Sequence, residues 1–111
     1  MRSVSWLKAA LHAFEDFPEN VRRQIAFGLD RVSEGGKADN AKPLHGIEGG
    51  VFEITAGDRS GTYRAVYALK LGADIWVVHA FQKKSLRGIK TPQREIELIR
   101  ERIKRLRESL R

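Results

Sequence analysis

Arg64, with Tyr63 and Tyr67 on either side of it, lies in one β-forming run, and Lys83 and Lys84 follow at the end of the next. Cations and hydroxyls gathered at the ends of adjacent strands suit phosphate chemistry. Arginine offers planar donors and lysine a point charge, and several of them converging on one phosphodiester would stabilise the charge that develops when a ribose 2′-hydroxyl attacks. Such a reaction requires no metal. From residue types alone a plainer arrangement is favoured, in which Arg64 pairs with Glu53 across the sheet and the lysines solubilise a loop. His12, His45 and His79 fall on a helix start, a loop and a strand, and no two share metal-ligand spacing. A lone histidine is more often structural than a ligand or base; His79 is placed on one strand face with Val77 and Phe81, which favours a core or hydrogen-bonding role. The chain has no Walker loop, dinucleotide fingerprint, His-Glu-x-x-His or paired cysteines, which disfavours NTP hydrolysis and zinc chemistry.

The elements that must position these groups are legible as changes of period. Val4 and Trp6 alternate with Ser3 and Ser5 as in a short strand, although Trp6 to Leu11 could also begin a helix. Pro18 is expected at the first position of a helix that runs to about Ser33, with Val21, Ile25, Leu29 and Val32 at helical spacing. Gly35-Gly36 end it, and the stretch to Gly50 carries loop chemistry throughout. Val51 to Thr55, Thr62 to Leu71 and Asp74 to Phe81 then read as an antiparallel meander, divided by Gly-Asp-Arg-Ser-Gly and Gly-Ala-Asp turns. Gln82 to Lys90 is a polar basic loop. Thr91-Pro92 provides an N-cap hydroxyl and a first-turn proline for a last helix to about Leu110. Its apolar residues Ile96, Ile99, Ile103, Leu106 and Leu110 form a narrow seam, so the helix docks by one edge.

A chain of 111 residues supports one hydrophobic core better than two, so residues 1–111 are read as a single domain. Without cysteine there is neither a disulfide framework nor a thiolate metal site, and no long apolar run marks a leader or a membrane span. The expectation is a cytoplasmic protein that does not engage a membrane and holds no cofactor or metal. The net charge of +7 is confined to one end: residues 1–82 carry ten Lys/Arg and ten Asp/Glu, residues 83–111 eleven and four. A basic block points to a polyanion, either nucleic acid or an acidic partner protein; a solvated helix face explains it equally well.

Four pieces in order resemble the HigB-like, phage-derived branch of the RelE/ParE toxins: Gly50-Val51-Phe52-Glu53-Ile54, Gly61-Thr62-Tyr63-Arg64-Ala65-Val66-Tyr67, His79-Ala80-Phe81-Gln82-Lys83-Lys84, and Lys90-Thr91-Pro92-x-x-Glu95-Ile96. Phe17-Pro18-Glu19-x-Val21-Arg22-Arg23 and Ala41-Lys42-Pro43-Leu44 look like the same family. The resemblance implies a compact RelE-like α+β fold, with an N-terminal strand and helices packed on a curved antiparallel sheet, and a C-terminal helix. It also implies the toxin of a type II toxin–antitoxin pair. The expected partners are a cognate antitoxin, encoded alongside and often a helix-turn-helix DNA-binding protein, together with RNA and the ribosome.

By resemblance, Arg64 falls where ribonuclease members place a phosphate-contacting arginine, and Lys83-Lys84 where they place cations after the last strand. Thr55 stands where many relatives have arginine, and no match is found for the C-terminal tyrosine or histidine of some ribonucleases. The preferred reading is a metal-independent endoribonuclease that cleaves mRNA and inhibits translation. In it Arg64 and Lys84 stabilise the phosphate in flight, Lys83, Arg87 and Lys90 hold RNA, and Tyr67 or His79 assists proton transfer. The alternative is a non-catalytic, ParE-like toxin that inhibits DNA gyrase by binding. An antitoxin with an acidic contact surface is expected over the apolar seam of the last helix or a neighbouring groove.

Overall fold

The computed structural model describes residues 1–47, 49–83 and 91–111. Lys84, Arg87 and Lys90 therefore lie outside the described residues, as does most of the basic loop. The elements in chain order are β1 (Val4–Trp6), α1 (Lys8–Glu15), α2 (Glu19–Ser33), β2 (Ala41–Pro43), β3 (Val51–Asp58), β4 (Gly61–Ala68), β5 (Ile75–Lys83) and α3 (Gln93–Ser109). Pro18 sits just ahead of α2, at φ −54° and ψ 146°, one position earlier than its expected place inside the helix.

One five-stranded sheet, in the order β1-β5-β4-β3-β2, carries everything else. The expected meander forms its centre. The Asp58–Gly61 pair closes a two-residue hairpin, held by Asp58 Oδ1, which accepts from the Ser60 amide at 2.7 Å and its hydroxyl at 2.6 Å. Two features differ from the expected antiparallel sheet. First, β1 pairs parallel to β5, which is possible because α1, α2 and the intervening strands form the long crossover that parallel neighbours need. Second, the Gly-rich stretch after α2 contains an edge strand: β2 runs antiparallel to β3, with Lys42 opposite Glu53. Three residues are too few to show a period, so the sequence alone reads them as loop.

Each face of the sheet buries its own core. On one, Val21, Ile25, Leu29 and Val32 of α2 pack with Ile54, Ala65, Tyr67, Ile75 and Val77. On the other, Ile96, Ile99, Ile103 and Leu106 of α3 pack with Leu44, Val51, Val66 and Val78. The seam of α3 is thus filled by the chain's own sheet, and only Leu110, 44% exposed, stays outside it. With α3 docked the seam itself is covered, which leaves the neighbouring groove as the other expected place for a partner.

The two faces are not in simple alternation along β5. Val66 pairs with His79 but Tyr67 with Val77, so Val78 is the extra residue of a β-bulge. Val78 joins the α3 core while Val77 joins the α2 core. This corrects the placement of His79 on one face with Val77: the bulge resets the period, and His79 turns to the α3 side with Phe81, on which it stacks at 5.0 Å.

Candidate functional site

On the α3 face, β2, β3, β4 and β5 bring together the polar groups that the hydrophobic pattern leaves over. Thr55 lies opposite Arg64, so Glu53, two residues away on β3, is the diagonal neighbour of Arg64 on the same face. The Arg64 Nη1 donates to Glu53 Oε1 at 2.7 Å, with 3% and 1% of the two residues exposed. The pairing favoured from residue types is the one that forms. Desolvating two such charges is tolerable only where each is paired and further hydrogen-bonded. Thr91 supplies that second partner: its hydroxyl donates to Glu53 Oε2 and accepts from Arg64 Nη1 at 3.2 Å.

This use of Thr91 overturns its expected role as a helix cap. The cap position of α3 belongs to Pro92, with no side-chain cap hydrogen bond, because the Thr91 hydroxyl points into the sheet. Thr91→Ala should therefore destabilise the protein by about 1.5–3 kcal/mol, the range for a hydrogen bond to a charged group. A double-mutant cycle with Glu53→Gln should show a coupling above about 0.5 kcal/mol. Additive losses would mean that Thr91 works independently of Glu53.

Cations surround the pair. Lys83 at the end of β5 is half-buried; burial lowers its pKa first, Arg64 and Lys42 push the same way, and Glu53 opposes them. Lys42, Arg64 and Lys83 thus share one electrostatic neighbourhood around one carboxylate. Beside it opens a cleft of about 570 Å³ between β2 and the start of α3, lined by Lys42, Leu44, His45, Glu53, Thr91, Gln93, Ile96 and Arg100, among others. Among the described residues no group of three or more His, Cys, Asp or Glu is arranged to hold a metal ion.

The proton-transfer candidates are placed elsewhere. Tyr67 faces the α2 core on the opposite side of the sheet from Arg64, stacked on Phe52 at 5.6 Å. Burial pushes its phenol up to about 12. His79 is on the same face as Arg64 but is clamped by α3. Arg102 Nη1 lies 2.9 Å from Nδ1 and Glu95 Oε2 3.3 Å from Nε2. An arginine only donates, so Nδ1 accepts and the neutral ring carries its proton on Nε2, directed at Glu95. Arg102 also donates to the Val78 carbonyl at 3.0 Å, the carbonyl of the extra residue in the bulge.

Burial lowers the His79 pKa below 6.5, aided by Arg102 and opposed by Glu95. The unfolded chain then binds the proton more readily than the folded one. Stability is fully present above the unfolded value and falls as pH drops below about 6.5 toward the folded value. The melting temperature of wild type should decline on acidification through this window, and that of His79→Gln should decline less. Parallel curves would assign the acid sensitivity to other groups.

Sequence reasoning singled out Arg64, Lys83 and His79 on this face but gave Glu53 only the plainer role. It did not find Lys42, Arg100 or Arg102 as parts of the site. Lys42 carried a signal only through Ala41-Lys42-Pro43, while α3 shows its arginines as a general basic block without marking which one meets His79.

Residues 12–104 match the family model described as phage-derived protein Gp49-like. The intact E. coli RelBE toxin–antitoxin complex matches at 21% identity and TM-score 0.57, over 77% of this chain and 100% of that chain. A mutant E. coli toxin RelE in the free state matches at 22% identity and TM-score 0.61, over 94% and 96%. The isolated E. coli RelE toxin matches at 20% and 0.58, over 91% and 98%. These likenesses establish a RelE-like fold. No curated protein sequence matches the chain.

Proposed function

The chain belongs to the Gp49-like phage-derived protein family, and on that premise we propose that it is the toxin of a toxin–antitoxin pair, of the HigB-like kind, acting as an endoribonuclease on mRNA. The observation that carries the reading is the set of cations, Lys42, Arg64 and Lys83, around a single buried carboxylate on one sheet face of a RelE-like fold. Cleavage would proceed by attack of a ribose 2′-oxygen on the adjacent phosphorus. The 2′-hydroxyl gives up its proton to solvent as it attacks, the bond to the 5′-oxygen breaks and that oxygen takes up a proton from solvent, leaving a 2′,3′-cyclic phosphate on one fragment and a 5′-hydroxyl on the other.

In this reading Arg64 and Lys84 stabilise the negative charge that grows on the phosphoryl oxygens, and Lys83, Arg87 and Lys90 hold the strand. Glu53 fixes the orientation of the Arg64 guanidinium before the substrate arrives; with 4% of that side chain exposed, the groups over it must shift for a phosphate to reach it. Tyr67 and His79 serve the two cores, because one faces away from Arg64 and the other has both ring nitrogens engaged by α3. The partner is an antitoxin with an acidic contact surface, of the helix-turn-helix type; it is sought as the product of the adjacent reading frame. The toxin's place of action in this reading is the ribosome, in the cytoplasm.

The test is an RNA cleavage assay with purified protein, with and without translating ribosomes, followed by analysis of the product ends. Cyclic phosphate termini are expected, and cleavage of minimal RNA should persist in EDTA. Failure to cut RNA in either setting, together with inhibition of gyrase supercoiling, would replace this reading with the ParE-like one.

A further inference from the structure

Two depressions on the α3 side run into each other. The Glu53 cleft shares Gly46 and Arg100 with a shallower trough of about 430 Å³ that continues past Lys104 and Arg107. Arg100 donates to the Gly46 carbonyl and so ties α3 to the β2–β3 connection where the two meet. Arg100, Lys104 and Arg107 are spaced four and three apart, which puts them on one stripe of the helix. All three are exposed, and at 1.5 Å per residue the stripe is about 10 Å long. Among the described residues no acid lines the trough.

The two parts differ in character. The cleft has apolar walls, Leu44 and Ile96, with the Gln93 amide among its lining groups, and its volume lies within the ~300–1,000 Å³ typical of small-ligand sites. The trough presents cations in a row. A flat, hydrogen-bonding body beside a line of negative charges is the chemistry of single-stranded nucleic acid. An acidic peptide would match the cations but not the cleft.

We propose that this continuous groove binds one strand of RNA, with a nucleobase in the cleft against the apolar surface that Leu44 and Ile96 contribute to its lining, and the neighbouring phosphates along Arg100, Lys104 and Arg107. The groove rests on the RNA-cleaving reading and extends it: it adds a binding track on α3 beyond Lys83, Arg87 and Lys90, and a pocket able to select the base beside the cut. Counterion release then sets the salt dependence, at about 0.7 of a logarithmic slope unit per phosphate contact on a single strand.

The probe is a labelled, uncleavable 2′-O-methyl oligoribonucleotide, titrated by fluorescence anisotropy at several salt concentrations. Lys104→Ala/Arg107→Ala spares Arg100, which holds the groove walls together. Lys8→Ala/Arg23→Ala removes the same charge from exposed positions on α1 and α2. The groove variant should bind about tenfold more weakly, with a slope reduced by about 1.4, and the control should stay within about twofold of wild type. Equal losses in both variants, no loss in either, or binding of an acidic protein but no RNA through these residues would overturn the groove. A wild type that binds the probe through the groove but never cuts RNA keeps the groove and loses the cleavage reading. One that cuts RNA while the groove variant matches the control does the reverse.

Discussion

Glu53→Ala is expected to lower the stability of the folded protein by about 3–5 kcal/mol, the usual loss when one partner of a buried ion pair is removed. The carboxylate is 1% exposed and accepts from both Arg64 and Thr91. Without it a guanidinium remains desolvated beside a hydroxyl, which only partly replaces a negative charge. The attraction within the pair is not the main quantity at stake. Replacing both members with apolar residues of similar volume, as in Glu53→Leu/Arg64→Met, should restore most of the lost stability, since neither desolvation penalty is then incurred. Denaturant unfolding of the single and double variants checks this. A double variant as unstable as Glu53→Ala would show that the site needs the charges themselves.

The same double variant separates folding from chemistry. Arg64 is buried in an ion pair, so Arg64→Ala should unfold part of the population as well as remove a phosphate contact. In Glu53→Leu/Arg64→Met the fold is retained and the guanidinium is gone. Its RNA cleavage rate should fall by about a hundredfold, equivalent to about 3 kcal/mol in the transition state, as when one preorganised charge-stabilising donor is deleted. The measurement is single-turnover cleavage, corrected for the folded fraction. A rate within a few-fold of wild type would restrict Arg64 to a structural role and shift the chemistry to the lysines.

Much of this arrangement follows from local rules that act within a few residues. The 3.6-residue spacing of Val21, Ile25, Leu29 and Val32 makes one face of α2 apolar wherever that helix is placed. The β-rich runs around Gly57–Gly61 fix a hairpin register. Once Asp58 is paired with Gly61, Glu53 and Arg64 become diagonal neighbours by counting alone, so their ion pair was legible from the residues. The seam of α3 was legible as well.

What the chain could not disclose locally depends on groups far apart in sequence. The strand β2 exists because β3 offers an open edge, not because Ala41-Lys42-Pro43 favours extension. Thr91 has the right type and position for a cap, yet Glu53, 38 residues earlier, takes its hydroxyl, since a buried carboxylate gains more from that hydrogen bond than a solvent-accessible helix end. A bulge at Val78 puts Val77 and His79 on opposite faces, and no propensity marks it. His79 meets Glu95 and Arg102 only because α3 docks across β5. Period and turn chemistry determine which residues face a core. Which polar groups then satisfy one another is decided by packing, where each buried charge must find a partner among whatever the fold brings within reach.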